Sequence, residues 1–196
     1  MGSEYWRNAY RPLLPDILHV DFNTKEAIDV ITCYTACVVV EVMQAEAGAI
    51  PADIKWLQAL RKKCDEKGVL LIFDEIQTGF GRTGTLWAFQ QYDVVPDILM
   101  LGKALGGGLP LGAFIASHQK MNQLTFNPVL GHISTFAGHP VCCAAGLAGF
   151  EELLKLTDDR PQTTDDQLPI IDQLSSVIEK EKLFRSLLKH PSIKAI

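Results

Sequence analysis

Apolar residues occur in short runs that are separated by polar, glycine-containing segments, and several of these runs predict strands. The runs at 37–43, 69–73 and 98–101 are β-branched or aliphatic and are bounded by turn-forming residues. Runs of this length are typical of buried strands in a parallel sheet. A further strand is expected at 111–116. The pattern therefore predicts an α/β protein with a mostly parallel sheet, provided that helices join the strands.

Two segments show the apolar spacing of a helix that buries one side. In 53–67 the apolar residues recur every three or four positions, and Gly68 follows where helices commonly end. This helix lies between two predicted strands, so 37–73 is expected to form a β-α-β unit with a right-handed crossover. A second helix, rich in alanine and cysteine, is predicted at 139–156.

The segments at both ends are less regular. Pro12 and Pro15 argue against a regular helix in the first 15 residues. A short strand is expected at 17–21 and a helical turn or two at 24–33. The polar segment 157–166 predicts a linker, and the charged, periodic segment that follows it, 168–188, predicts an amphipathic helix.

Charged residues follow two of the predicted strands. Asp74 comes directly after 69–73, and Lys103 comes one glycine after 98–101. Ligands of open α/β sheets bind beyond the carboxyl ends of the strands, so this acid and this amine are expected to face one ligand. The apolar segments beside Lys103 are expected to desolvate its amine, which would lower the amine's pKa and make it nucleophilic. The alternative is an ordinary lysine that extends from a strand end into solvent.

Composition excludes several classes of function. The net charge is −5 and the pI is about 5.5, and no Lys/Arg-rich stripe is present, which argues against a nucleic-acid surface. Every apolar stretch is shorter than the roughly 18 residues of a membrane span. Five cysteines without a C-x-x-C pair indicate reduced thiols in a cytoplasmic protein. The histidines lack metal-ligand spacing, so no metal site is predicted.

Two motifs identify a family. FDEIQTGFGRTG at 73–84 and LGKALGGGLPLGA at 101–113 resemble the class III (subgroup II) aminotransferases, enzymes dependent on pyridoxal 5'-phosphate (PLP) that include acetylornithine and ornithine aminotransferases. The resemblance extends from about residue 38 to about residue 152. It implies the central part of the large domain of a fold-type-I PLP-dependent transferase, with a mostly parallel sheet flanked by helices.

The resemblance also implies a domain division. Residues 1–156 would be a partial PLP-binding large domain, and 157–196 a polar linker and helix leading toward a truncated C-terminal domain. Members of this family are longer, and they carry a glycine-rich phosphate loop, an aromatic residue over the cofactor and a late arginine for the substrate carboxylate. These features have no matching position here, so the chain is expected to be a fragment.

Roles for individual residues follow from the same resemblance. Lys103 would form the Schiff base with PLP and shuttle a proton between the substrate α-carbon and the cofactor. Asp74 would keep the pyridine nitrogen protonated, although it is also placed to cap a turn. Ile76 would pack under the ring, and Gln77 would lie near its phenolic oxygen.

Two further residues are implied at a distance from this motif. Thr135 would reach the phosphate of a neighbouring subunit's cofactor, which implies a homodimer with sites at its interface; Ser134 or Thr135 is also suited to begin a helix. Glu46 would lie on the substrate side, although Ala45 stands where the family commonly has glycine.

The expected reaction is transfer of an amino group from an ω-amino donor, acetylornithine-like or ornithine-like, to a keto acid such as 2-oxoglutarate. Two alternatives remain open. The chain is also compatible with a catalytically incompetent scaffold of the same family and with an aminomutase relative.

Overall fold

The computed structural model describes residues 4–129 and 133–158, in which helices and strands alternate along much of the chain. The helices are α1 (Glu4–Ala9), α2 (Lys25–Asp29), α3 (Ile54–Lys67), α4 (His118–Asn122) and α5 (Pro140–Asp158). The strands are β1 (Cys37–Val40), β2 (Met43–Gln44), β3 (Ile50–Pro51), β4 (Leu70–Asp74), β5 (Ile98–Leu101) and β6 (Ala113–Ala116). Short 3-10 helices are formed by Ala88–Gln91, Lys103–Gly106 and Gln123–Thr125.

Within the described ranges, the main sheet has four strands in the order β1-β4-β5-β6. The first three run parallel, with Val40 opposite Phe73 and Ile72 opposite Ile98. The last strand, β6, is antiparallel to β5. The short strands β2 and β3 form a separate antiparallel pair beyond the end of β1. This arrangement confirms the predicted α/β class and the mostly parallel sheet.

The helix between β1 and β4 forms where the sequence predicts it. The side chain of Asp53 caps its start by accepting a hydrogen bond from the Trp56 amide at 2.9 Å. Gly68 ends it with a φ of 69°, in the left-handed region that favours glycine. Its apolar side buries Leu57 and Leu60 in the same core as Phe73 of β4.

The two faces of the sheet differ. Side chains at alternate positions of β4 and β5, such as Leu71, Phe73 and Leu99, are buried in the core beside α3. The residues between them point to the opposite face, because side chains alternate along a strand. That opposite face bears an apolar concavity of about 440 Å³. It is lined by Ile72, Ile76, Ile98, Met100 and Phe114, among others.

Several local predictions were wrong. A helix, α1, does form near the start. The two prolines do not prevent it, because it ends at Ala9, before either proline. The segment 17–21 contains no strand. The strand predicted at 37–43 divides, since β1 ends at Val40 and Met43 pairs with Pro51 instead of extending the main sheet.

The region after the sheet agrees with prediction as far as it is described. Helix α5 begins at Pro140 and continues through Asp158, so Thr157 and Asp158, which were predicted to begin the linker, belong to the helix. The helix predicted at 168–188 and most of the linker before it lie outside the described residues. Among the described residues, no helix combines the length and apolar character needed to cross a membrane.

Candidate functional site

Asp74 and Lys103 lie at the same edge of the sheet, as predicted. Strands β4 and β5 are parallel neighbours in which Asp74 is opposite Met100, and Lys103 follows Met100 by three residues. The two strand ends also touch. A Cβ atom added to Gly102 would lie 3.2 Å from Cγ2 of Ile76, so the chain leading to Lys103 packs against the turn after Asp74.

The Asp74 carboxylate is half-buried and keeps capacity to bind a ligand. One oxygen, Oδ1, accepts a hydrogen bond from the Ile76 amide at 3.0 Å, which is the turn-capping role anticipated for this residue. No other donor reaches this carboxylate from within residues 4–129 and 133–158. Since an ionised carboxylate has about four acceptor positions, capping the turn leaves room for a second partner.

Lys103 combines an exposed amine with an unusual backbone. Its φ is 46°, in the left-handed region, and it begins the short 3-10 helix Lys103–Gly106. A non-glycine residue in this region costs on the order of 1–3 kcal/mol and persists only where its surroundings hold it. The expectation that apolar neighbours desolvate the amine was wrong, because Lys103 is exposed among the described residues.

Ile76 and Gln77 continue the turn after Asp74, and both are half-buried. The Glu75 carbonyl accepts a hydrogen bond from the Gly79 amide at 3.0 Å, which closes this turn. Ile76 also lines the apolar concavity on the sheet face, whereas Asp74 and Lys103 do not. The two charged residues therefore share a sheet edge, and the concavity is not a pocket common to both.

Glu75 is a buried acid whose role was not predicted from the sequence. Its side chain is fully buried, and its two carboxylate oxygens accept hydrogen bonds from the amides of Ala88 and Phe89, both at 2.8 Å. Burial raises the pKa of Glu75, and the two amide donors only partly offset that rise. The carboxylate thus ties the turn after β4 to the 3-10 helix at Ala88–Gln91. The sequence offered one signal for this role: Glu75 is an acid that lies directly between Asp74 and Ile76, two predicted site residues.

The structure does not join the other two predicted site residues to this pair. Glu46 is exposed in the turn between β2 and β3, where the Glu41 carboxylate accepts a hydrogen bond from the Ala45 amide at 3.2 Å. Thr135 is exposed in the turn before α5. No hydrogen bond or ion pair links Glu46 or Thr135 to Asp74 or Lys103 in the part of the chain that is described.

The opposite end of β5 carries a charged cluster of a different kind. Asp97, the residue before β5, accepts hydrogen bonds at 2.8 Å from both the Leu71 amide and Nη1 of Arg61. Its other oxygen pairs with Nζ of Lys120 at 3.0 Å. Burial opposes ionisation of Asp97, but the Leu71 amide and the two cations outweigh it and lower its pKa.

Comparison with known families and proteins gives one consistent result. Residues 15–187 match the family model described as aminotransferase class-III. Acetylornithine aminotransferase from Methanocaldococcus jannaschii is 39% identical over 183 residues, which are 93% of this chain and 45% of that protein. A [LysW]-aminoadipate semialdehyde/glutamate semialdehyde transaminase from Sulfolobus acidocaldarius is 43% identical over 153 residues, or 78% of this chain and 39% of its own length.

Solved structures agree with these matches. An ornithine aminotransferase from Toxoplasma gondii, crystallized with oxidized glutathione, superposes with a TM-score of 0.71 and 32% identity. The match covers 100% of this chain and 44% of that one, and PLP partially occupies the active site of that protein. The present chain spans about half the length of the curated relatives it matches.

Proposed function

Because this chain belongs to the class-III aminotransferases, we propose that it is the cofactor-binding part of an enzyme that uses pyridoxal 5'-phosphate. The reaction we assign is transfer of an amino group from a donor with a terminal amine to a keto acid such as 2-oxoglutarate. One observation carries the proposal: Asp74 ends β4 and Lys103 follows β5, so these neighbouring parallel strands bring both residues to one sheet edge. That edge is where open α/β sheets bind ligands.

The side chains at this edge fit the cofactor. A pyridine nitrogen needs a carboxylate to stay protonated, and Asp74 has an acceptor position beyond the one that caps its turn. An aldehyde needs a primary amine, and the amine of Lys103 is exposed. Gly102 packs against Ile76 without an intervening side chain, so the two strand ends lie close enough to contact one small ring.

Each residue then has a defined task. When bound, PLP supplies a ring that withdraws electrons from the carbon bearing the substrate's amino group. Lys103 holds the cofactor by its amine and moves the proton at that carbon. Asp74 orients the ring through its nitrogen, Ile76 packs against the ring face, and Gln77 binds its phenolic oxygen.

The donor class is supported by the relatives' names and by one loop. Acetylornithine and ornithine, after which several relatives are named, both carry a terminal amine on a short aliphatic chain. Strands β1 and β4 are parallel, so the segment after β1, which includes Glu46, leaves the sheet at the edge that carries Asp74. We place Glu46 on the substrate side, where its exposed carboxylate is available to a cationic group.

The intact enzyme is assigned as a homodimer with shared sites. Thr135 is exposed in a turn before α5, and we assign it to the phosphate of the cofactor that a second subunit holds. A mixture of K103A and T135A chains tests this, because each mixed dimer regains one complete site. Absorbance of bound cofactor should reappear on mixing; its absence would show that Thr135 does not act across the interface.

The compartment is assigned as the cytoplasm. All five cysteines are free thiols, and one of them, Cys64, is buried in the core, where burial raises its pKa to about 11. Unpaired thiols are typical of proteins in reducing compartments.

Titration of the purified chain with PLP tests the assignment of the cofactor. We expect a visible absorbance band from cofactor bonded to lysine, and we expect K103A to abolish it. K120A is the matched control, because Lys120 pairs with Asp97 beyond the other end of β5. A band that persists in K103A would contradict the role of Lys103. No band in the unmodified chain would favour the alternative, a scaffold without catalytic competence.

A further inference from the structure

The turn that carries Lys103 rests directly on the backbone of α5. We call residues 102–109 the lysine turn. A Cβ atom added to Gly107 would lie 2.4 Å from the carbonyl oxygen of Ala145. A Cβ atom added to Gly146 would lie 2.5 Å from the carbonyl oxygen of Leu105 and 2.9 Å from Cδ2 of Leu111. The backbones of the lysine turn and of α5 therefore lie so close together that a side chain at Gly107 or at Gly146 would overlap the other backbone.

The lysine turn is wound tightly by its own hydrogen bonds. The amides of Leu105, Gly107 and Leu109 donate to carbonyls three residues earlier, at 3.0, 3.1 and 3.0 Å respectively. The first of these bonds, from the Leu105 amide to the Gly102 carbonyl, spans Lys103, whose φ of 46° is costly for a residue with a side chain. Such a conformation persists only where the surrounding structure holds it, and the contact with α5 is placed to do so.

The same helix also touches the loop that follows Asp74. The ring of Phe150 in α5 packs edge-on against Phe80 at a centroid distance of 5.9 Å, and Phe80 packs edge-on against Trp87 at 5.0 Å. One turn before Phe150, Gly146 meets the lysine turn. A single helix thus contacts both the lysine turn and the loop that follows Asp74.

We propose that Gly146 is a positioning residue for Lys103: by lacking a side chain it lets the lysine turn seat against α5, and this contact fixes where the amine lies relative to Asp74. The inference rests on the proposed function in one respect, since the position of the amine matters for the cofactor. The seating itself is a property of the chain without cofactor.

Gly149 provides a matched control in the same helix. A Cβ atom there would lie 3.6 Å from the Cα of Gly107, which is ordinary van der Waals contact. G146A and G149A both replace a helical glycine with alanine and bring the same gain in helix propensity. They differ in whether the added methyl group displaces the lysine turn.

The test combines two measurements on G146A, G149A and the unmodified chain. Hydrogen exchange without cofactor should be faster across residues 102–109 in G146A, with little change across β1 and β4. Stopped-flow absorbance after adding PLP should show slower band formation in G146A by on the order of 10- to 100-fold, because misplacing a reacting group by about 1 Å can cost this much in rate. G149A should match the unmodified chain in both.

Three results would overturn the proposal. G146A could match G149A in exchange and in rate, which would show that the contact does not hold the turn. Hydrogen exchange in G146A could rise equally in the sheet, which would show that Gly146 contributes to the stability of the whole fold and does not specifically hold the lysine turn. Hydrogen exchange of the lysine turn could become faster without any change in the rate of band formation. That result would show that the contact with α5 does not fix the position of the Lys103 amine. If the unmodified chain forms no band, the proposed function fails, and exchange alone then decides whether Gly146 seats the turn.

Discussion

The two ends of β5 carry charges of opposite sign, and these charges differ in the partners that the fold provides for them. Before the strand, Asp97 is surrounded by a backbone amide and two cations that satisfy its carboxylate. After the strand, Lys103 is exposed, its backbone is in a costly conformation, and no carboxylate lies within 4.0 Å of its amine among the described residues. A charge with partners inside the fold stabilises the fold, whereas the exposed amine of Lys103, which lies on a backbone in a costly conformation, is available to a ligand.

The two aspartates sharpen the same contrast. Among the residues that the structure describes, Asp74 at the end of β4 accepts one amide hydrogen bond, whereas Asp97 at the opposite edge accepts hydrogen bonds from three donors. Both acids are only partly exposed, so burial alone does not distinguish them. The number of partners that the fold supplies distinguishes Asp74 from Asp97. A substitution of Asp74 should therefore affect cofactor binding, and a substitution of Asp97 should affect the free energy of unfolding.

The largest effect is expected for Asp74→Asn, on cofactor binding. Removing the charge opposite the pyridine nitrogen should weaken PLP affinity about 10- to 100-fold, because hydrogen bonds to charged groups contribute about 1.5–3 kcal/mol. Asparagine keeps an oxygen that can accept the Ile76 amide, so unfolding by urea should change little. Equal affinity in the variant would show that Asp74 only caps its turn.

Asp97→Asn should do the reverse. Loss of the charge facing Arg61 and Lys120 should lower the free energy of unfolding by about 1–3 kcal/mol at pH 7, while PLP binding stays unchanged. The asparagine oxygen can still accept the Leu71 amide, which limits the loss. Urea unfolding measures the first quantity and absorbance titration the second. If D97N bound PLP more weakly but kept its free energy of unfolding, the assignment of Asp97 to stability would be contradicted.

Acid should remove the contribution of Asp97. Its pKa is lowered in the folded chain, so its stabilising effect is present above the unfolded pKa of about 3.9 and is lost as the pH falls through the lower folded value. The difference in unfolding free energy between the unmodified chain and D97N should therefore shrink below about pH 4. A difference that stays constant down to pH 2 would mean that ionisation of Asp97 contributes nothing.

Lys120→Ala should have the smallest effect. This lysine pairs with Asp97 at 3.0 Å, but 36% of its side chain is exposed, and solvent screens the pair. Exposed ion pairs contribute about 0–1 kcal/mol, so stability should fall by no more than that and cofactor binding should not change. A loss as large as that of D97N would show that Lys120, and not Arg61, is the main partner of Asp97.

Strong local signals explain what the sequence predicted. The helical spacing of 53–67 between Asp53 and Gly68 led to α3 within one residue, and the compact apolar run Ile98–Leu101 led to β5. The placement of Asp74 and Lys103 at one edge followed from the rule for parallel strands, which needs only the strand ends.

Other features depend on contacts between distant parts of the chain. The exposure of Lys103 depends on what packs beside it, and apolar neighbours in sequence did not provide that packing. The burial of Glu75 depends on the amides of Ala88 and Phe89, more than ten residues away. The role of Gly146 depends on its contact with Leu105, which no spacing within α5 reveals.

Borohydride trapping followed by peptide mass analysis tests the central claim, that the amine of Lys103 and the carboxylate of Asp74 act on one cofactor. After addition of PLP and reduction, we expect the pyridoxyl group on the peptide that contains Lys103 in the unmodified chain and in D97N, with much lower occupancy in D74N. Labelling spread over other lysines, or labelling of Lys103 that is equal in D74N, would contradict the account.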